Sequence, residues 1–290
     1  MERDNDQDER KPLVVFIHIP KTAGTTFGSV LRATYPAGEV LALGNIFKGA
    51  GGFDARKAAR LPLSVKDLSQ QAAVLGGHVP FGIRRYLPDE TRYVTLLREP
   101  IERTLSQYYS MLGFSSKWKS NPLAKGAALE DVLAQRDVIF DNLQTRMLSD
   151  ELDPAATVTD EMLEQAKRNL GEVFLAFGLS ERFDESLVLI MRRLGLARAT
   201  YARQRVSDRP RGNEVPPDVR NSAERANRFD IELHRWATER FERIIADQDT
   251  GFEVDLASHR LETIRGLLEG TDTIVRELDE QLRRLEAKSG

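Results

Sequence analysis

Three short clusters in this chain have the residue types that grip an anion and move a proton. The first is Ile19-Pro20-Lys21-Thr22-Ala23-Gly24-Thr25-Thr26-Phe27. An apolar strand that turns tightly into a helix gathers unpaired backbone N–H groups at one point, where an anion completes their hydrogen bonds. Gly24 lets the backbone approach a ligand closely. Thr25 and Thr26 add hydroxyl donors, and Lys21 supplies a mobile positive charge. In a Walker A loop the lysine follows the last glycine and precedes Ser or Thr. Here Lys21 comes three residues before Gly24, so the order is reversed. A strand–turn–helix with an incidental lysine is the plainer reading of the same residues.

The second cluster is Arg98-Glu99-Pro100-Ile101-Glu102-Arg103-Thr104-Leu105-Ser106-Gln107-Tyr108-Tyr109. Arg98 stands at a predicted strand end. Ser106 falls about two turns into the next helix, with Arg103 three residues before it on the same face. Arginine holds a phosphate with a fork of donors, and serine adds one more. A strand-to-helix cap with a surface ion pair is the alternative. The third cluster is Gly76-Gly77-His78. A histidine after a short strand titrates near neutrality and suits a general base, or it is a turn residue bonded to backbone. His18, inside an apolar run, reads as a buried, hydrogen-bonded neighbour of the loop. His234 and His259 read as structural or exposed. Glu39 and Asp141 are reserve candidates for the base. Arg84 and Arg85 either attract an anionic or sugar acceptor or are solvated surface residues.

The elements that position these clusters are legible from periodicity. Leu13–Ile19 is a near-continuous β-branched and apolar run, as expected of a buried parallel strand. Thr25–Thr34 follows as a helix. Leu43–Phe53 is Gly-rich and reads as a loop. Ala72–Leu75 and Tyr93–Leu97 read as strands, and Pro100 to about Leu112 as a helix with proline at its first position. Helices are predicted at Leu129–Leu148, Thr159–Leu170, Asp184–Leu194 and Ser222–Asp247, and a strand at Val173–Leu179. Arg198–Pro217 is a polar loop carrying Arg203, Arg205, Arg209 and Arg211. Strands alternating with helices predict an α/β protein: a parallel sheet flanked by helices on both faces. Ligands then sit beyond the carboxyl ends of the strands, where all three clusters fall.

Bulk composition excludes several chemistries. The chain has no cysteine, so disulfides, thiol nucleophiles and Cys-ligated metals are excluded. Its four histidines show no H-x-x-x-H spacing, and a metal site is not expected. With 42 Lys+Arg against 45 Asp+Glu the net charge is −3, which gives no reason to expect nucleic-acid binding. Residues 1–11 are charged or polar, read as a disordered tail and lack the apolar core of a signal peptide. No run approaches the ~20 apolar residues of a membrane helix, and a cytoplasmic location is the expectation. The last segment differs from the rest. Leu261, Leu268, Val275 and Leu282 recur every seventh residue, and Ile264, Thr271, Leu278 and Leu285 repeat three residues later. This heptad pattern fits either a coiled coil that joins copies of the chain through residues 257–287 or a helix packed on its own domain.

The sequence Phe16-Ile17-His18-Ile19-Pro20-Lys21-Thr22-Ala23-Gly24-Thr25-Thr26 resembles the 5′-phosphosulfate loop of sulfotransferases that use 3′-phosphoadenosine 5′-phosphosulfate (PAPS), above all the heparan-sulfate 2-O-sulfotransferase-like group and its bacterial members. Arg98–Tyr109 resembles the pattern with which that family holds the 3′-phosphate, with Glu99 in place of the usual Asp. The resemblance covers roughly residues 13–247, more weakly through Asp141–Arg146, Phe177–Ser186 and Asn227–Ile245. It implies a P-loop-type sheet over a domain of residues 12–252, with residues 253–290 as a helical extension. It further implies that Pro20, Lys21, Thr22, Ala23, Gly24, Thr25 and Thr26 bind the 5′ side, with Lys21 stabilising charge on the transferred group. Arg98 and Ser106 would bind the 3′-phosphate, and His78 falls where the group carries its catalytic base. One of the loop arginines would cover the nucleotide. PAPS as co-substrate, no metal, and a hydroxyl acceptor on a carbohydrate or glycolipid are the resulting expectations. A P-loop kinase or NTPase and a non-catalytic nucleotide-binding scaffold are the alternatives.

Overall fold

The computed structural model describes residues 12–45, 47–48, 51–53, 55–113, 128–134, 137–153, 156–197, 201, 215–266 and 268. The expected tail at residues 1–11, the arginines Arg203, Arg205, Arg209 and Arg211, and the heptad positions from Thr271 to Leu285 lie outside the described residues.

A five-stranded sheet organises the molecule. Its strands are β1 (Val14–Ile17), β2 (Val40–Asn45), β5 (Val74–His78), β6 (Arg92–Leu97) and β7 (Phe174–Leu179), in the order β2-β5-β1-β6-β7. All pairings are parallel, with Val15 beside Leu75 on one side and Tyr93 on the other. A small antiparallel pair, β3 (Phe47–Lys48) and β4 (Gly51–Phe53), stands apart. The residues of β1 are buried on both faces, which is why the run is apolar without alternation. Val14 and Phe16 pack with Phe27, Val30 and Leu31 of α1 (Gly24–Thr34) and with Leu187, Ile190 and Met191 of α7 (Phe183–Leu194). Val15 and Ile17 point to the opposite layer. There they meet side chains from α2 (Ala55–Ser69), α3 (Pro100–Gly113), α5 (Leu143–Leu148), α6 (Asp160–Arg168) and α9 (Arg228–Ala246). Each such side chain fully removed from water contributes about 1.5–3 kcal/mol. The expected sheet with helices on both faces is therefore present.

Several boundaries differ from the sequence reading for physical reasons. Residues 43–45, read as loop, belong to β2, an edge strand that buries only Leu43 in full and carries a register shift at Gly44. Its apolar run, Val40–Leu43, is short and ends in Gly44, which reads as the start of a loop. The helix expected over Leu129–Leu148 is two, α4 (Leu129–Ala134) and α5, separated by a stretch whose described residues 137–142 are non-helical and which ends on Asn142 in the left-handed region at φ 50°. The helix expected from Ser222 starts earlier, as α8 (Pro217–Ala226), and breaks at Asn227 before α9. Asn227 Nδ2 donates to Ala223 O at 2.9 Å, closing α8 with its own side chain. A last helix, α10, runs over 250–266, so position 252/253, drawn as a domain boundary from the sequence, falls within it.

Candidate active site

The three central strands β5, β1 and β6 are neighbours, and each delivers one cluster at its carboxyl end. After β1 the chain turns through Pro20–Ala23 into α1. Lys21 and Ala23 both lie in the left-handed region, at φ 72° and 65°. Non-glycine residues enter that region at a cost of about 1 kcal/mol or more. Turned this way, successive N–H groups converge into a concavity that fits an anion. Fully buried Thr22 donates its hydroxyl to Ile19 O at 2.9 Å and pins the turn. No side chain caps the N-terminus of α1, so its first N–H groups face the mouth of the loop. Gly24 answers to a neighbour as well as to a ligand. A Cβ there would lie 2.1 Å from Cδ2 and 2.3 Å from Nε2 of His18, inside van der Waals contact.

Arg98 follows β6 and reaches across to the loop. Its Nη1 donates to Lys21 O at 3.0 Å, so the two anion-handling clusters are one hydrogen bond apart. Its Nη2 lies 3.9 Å from Glu102. Ser106 is a helical turn beyond Glu102 on the same side of α3 and is buried. The Arg98 backbone is clamped on both sides by Gln144, whose Oε1 accepts from Arg98 N at 2.9 Å and whose Nε2 donates to Arg98 O at 2.8 Å. Ser180 donates to Leu97 O at 2.9 Å, and Glu181 accepts from Glu99 N at 2.7 Å. Glu99 in turn accepts from Glu102 N at 2.6 Å and caps α3. The cap reading and the anchor reading of Arg98-Glu99-Pro100 are thus compatible.

His78 is the last residue of β5. Its Nδ1 lies 2.6 Å from His18 O. A carbonyl only accepts, so Nδ1 carries the proton and Nε2 keeps its lone pair in the neutral ring. Burial lowers the His78 pKa below the usual histidine value, against the opposing pull of that hydrogen bond. The His18 and His78 rings lie 4.2 Å apart between centroids, and His18 stacks on Phe16. Burial, then the proximity of His78 and of Arg32, drive the His18 pKa down to about 3. Both rings are therefore neutral near pH 7. His18, read from the sequence as buried within the strand, is only part-buried and lies just past the end of β1, beside the loop.

Other candidates are held elsewhere. Arg103 does not face the anchor. It is fully buried, donates to Ile139 O at 2.9 Å, and its pKa falls to about 10 because burial disfavours its charge. Asp141 is bound to Arg146 at 2.9 Å, and Glu39 sits at the opposite, amino-terminal end of the sheet, where its carbonyl accepts from Ala73 and Val74. Arg84 and Arg85 both donate to Asp150, at 2.9 and 2.8 Å. His234 lies 3.7 Å from Glu181, and His259 is buried beside Asp184. Gln144, Ser180 and Glu181, which frame the Arg98 turn, carry no motif of their own in the sequence. The runs Asp141–Arg146 and Phe177–Ser186 that contain them were the only signal. Among the described residues no group of three His, Asp or Glu side chains could hold a metal ion. No described helix is long and apolar enough to cross a membrane. A cavity of about 320 Å³ between α7 and α10 is lined by Leu187, Met191, Leu196 and His259, and by none of the candidate site residues.

These features define an α/β protein with a left-handed strand–loop–helix turn, a second cationic anchor and a neutral histidine at the carboxyl end of a parallel sheet. The family model of galactose-3-O-sulfotransferase matches residues 3–254, so the chain belongs to that family and sulfate transfer is its class of reaction. Heparan-sulfate 6-O-sulfotransferase 1 of Cricetulus griseus and that of Mus musculus are each 27% identical to it over 282 residues. The matches cover 80% of this chain and 67% and 66% of the two relatives, so the chain spans about two thirds of their length. The sulfotransferase resemblance of the motifs thus holds, while the names matched are 3-O and 6-O enzymes and give no support to the 2-O group in particular.

Proposed function

We propose that the protein transfers the sulfuryl group of PAPS to a carbohydrate hydroxyl and that His78 removes the proton of that hydroxyl. The observation that carries this reading is the meeting of the clusters: Arg98 donates to the Lys21 carbonyl, and His78 donates to the His18 carbonyl just before the same loop. A ligand with a sulfated 5′-phosphate and a separate 3′-phosphate matches two cationic anchors set side by side. The left-handed turn at Lys21 and Ala23 and the uncapped start of α1 fit the 5′ side. The carbohydrate acceptor rests on the names of the family and of the two relatives.

PAPS supplies the sulfuryl group. The residues of the chain do the rest. Loop N–H groups, Thr25, Thr26 and Lys21 hold the 5′ side, and the Lys21 ammonium offsets charge that develops on the departing oxygen. Arg98 and Ser106 hold the 3′-phosphate and set the position of the nucleotide. His78 Nε2, left unprotonated by the Nδ1 bond, takes the acceptor proton as the hydroxyl oxygen bonds to sulfur. No residue in this account needs a metal.

Calorimetry with the product nucleotide, 3′-phosphoadenosine 5′-phosphate (PAP), tests the anchors. PAP should bind at least about tenfold more tightly than AMP, a gap of about 1.4 kcal/mol. Equal affinities would remove the 3′-phosphate assignment. His78→Ala should keep PAP affinity and lose about 10²–10⁴-fold in turnover. Because burial lowers the His78 pKa below the usual histidine value, its basic form predominates at pH 7. Turnover should therefore hold as the pH falls through 6.5 and decline only below it. An acid limb centred at or above 6.5 would mean that a different group is the base.

A further inference from the structure

We propose that the outer face of α10 is the surface through which the chain pairs with a second copy of itself. The helix over 250–266 has two apolar faces. One belongs to the body of the protein: Phe252 and His259, seven residues apart, are 2% and 1% exposed. Arg192 of α7 fastens the same side, with Nη1 on Asp255 at 2.6 Å and Nη2 on Asp249 at 2.9 Å. The other face points away. Val254 is 58% exposed, Leu261 49%, Ile264 53% and Leu268 60%. These four are half of the large exposed apolar residues among those described, so this helix concentrates what the rest of the surface avoids.

Their spacing is seven, three and four residues, the seam of a coiled coil. With Val254, Leu261 and Leu268 at the first core position of the heptad and Ile264 at the second, Phe252 and His259 fall on the side of the helix farthest from the seam. One set of contacts therefore does not compete with the other. A helix docked only on its own domain needs a single stripe, and that stripe is the Phe252–His259 side. The seam also continues in the sequence through Val275, Leu278, Leu282 and Leu285. An identical chain presents the same spacing and closes a two-fold interface on itself, residue matching residue. That makes a second copy the occupant, in place of an unrelated partner. Nothing in this pairing depends on the nucleotide or the acceptor.

Sedimentation velocity of the full chain tests it. The wild type should show a species of twice 32.7 kDa at micromolar concentration. The double variant Leu261→Glu with Leu268→Glu should sediment as a single copy, and Val254→Glu alone should weaken pairing by about tenfold or more. Both leucines face solvent within one copy, so retained PAP binding and an unchanged circular dichroism spectrum would report an intact fold. A wild type that stays at one copy across the range overturns the proposal. So does a double variant, folded by those two measures, that still pairs as the wild type does.

Discussion

A single missing methyl group links the loop to the proposed base, His78. Gly24 has no room for a Cβ because the His18 ring occupies the space, 2.1 Å from where that carbon would be. His18 stays neutral, with its pKa near 3, so the loop above it meets a flat uncharged ring that adds no positive charge. The carbonyl of the same residue accepts the hydrogen bond from His78 Nδ1. Gly24→Ala should lower PAP affinity at least about tenfold, since loop and ring would have to part. Pairing it with His18→Ala opens the space, and the double variant should recover most of that loss. A double-mutant cycle reads the coupling as a departure from additivity. Strictly additive penalties would mean that the glycine is required by something other than the ring. Lys21, Gly24, His78 and Arg98 were each legible in the sequence, because a strand end followed by a helix start is a pattern of neighbours along the chain. The demand that His18 makes on Gly24 was not, since it arises only where the turn folds the helix start back over the strand.

At the scale of elements, two short runs that looked like weak echoes of a family prove to be the frame of the Arg98 turn. Asn142 and Asp230 cap each other's helices. Asn142 Oδ1 accepts from Phe229 N and Asp230 N at 2.8 and 3.2 Å, where α9 begins. Asp230 accepts from Gln144 N and Thr145 N at 3.0 and 2.8 Å, where α5 begins. The exchange fixes where α5 begins, at the end of a non-helical stretch over 137–142 that separates it from α4, with Asn142 in the left-handed region. The sequence reading runs one helix across this break, and it takes residues 43–45 as loop because the apolar run Val40–Leu43 is short and gives way to glycine at 44. The cap pair sets Gln144, and Gln144 holds both backbone groups of Arg98. Gln144→Met keeps the volume and removes both bonds. It should cost about 1–3 kcal/mol in urea unfolding, the range for buried polar groups left without partners. It should also narrow the preference for PAP over AMP if Arg98 is the proposed 3′-phosphate anchor. An unchanged preference alongside the stability loss would reduce Gln144 to a packing residue.

The whole molecule combines a sheet covered on two faces with a helix that the family match, ending at residue 254, scarcely reaches. The body's hold on α10 is specific. Phe252 enters the main core, and His259 stacks on Tyr201, whose hydroxyl donates to Asp184 at 2.6 Å. His259 chiefly pulls the Asp184 carboxyl down to about 2, against its burial and with help from Tyr201 and Arg260. Asp184 therefore stabilises the folded state fully above pH 3.8, and its share is lost as the pH falls toward 2. The two faces of α10 should leave different thermodynamic signatures. Phe252→Ala empties a core site and should cost about 3–5 kcal/mol, by the same amount at every protein concentration. Leu261→Glu touches only the outer seam, so its cost should grow with concentration and vanish on dilution, because pairing stabilises by mass action. Urea midpoints for both variants, taken across a wide dilution series, separate these outcomes. A near-neutral Phe252→Ala would mean that α10 is not anchored to the body through its inner face.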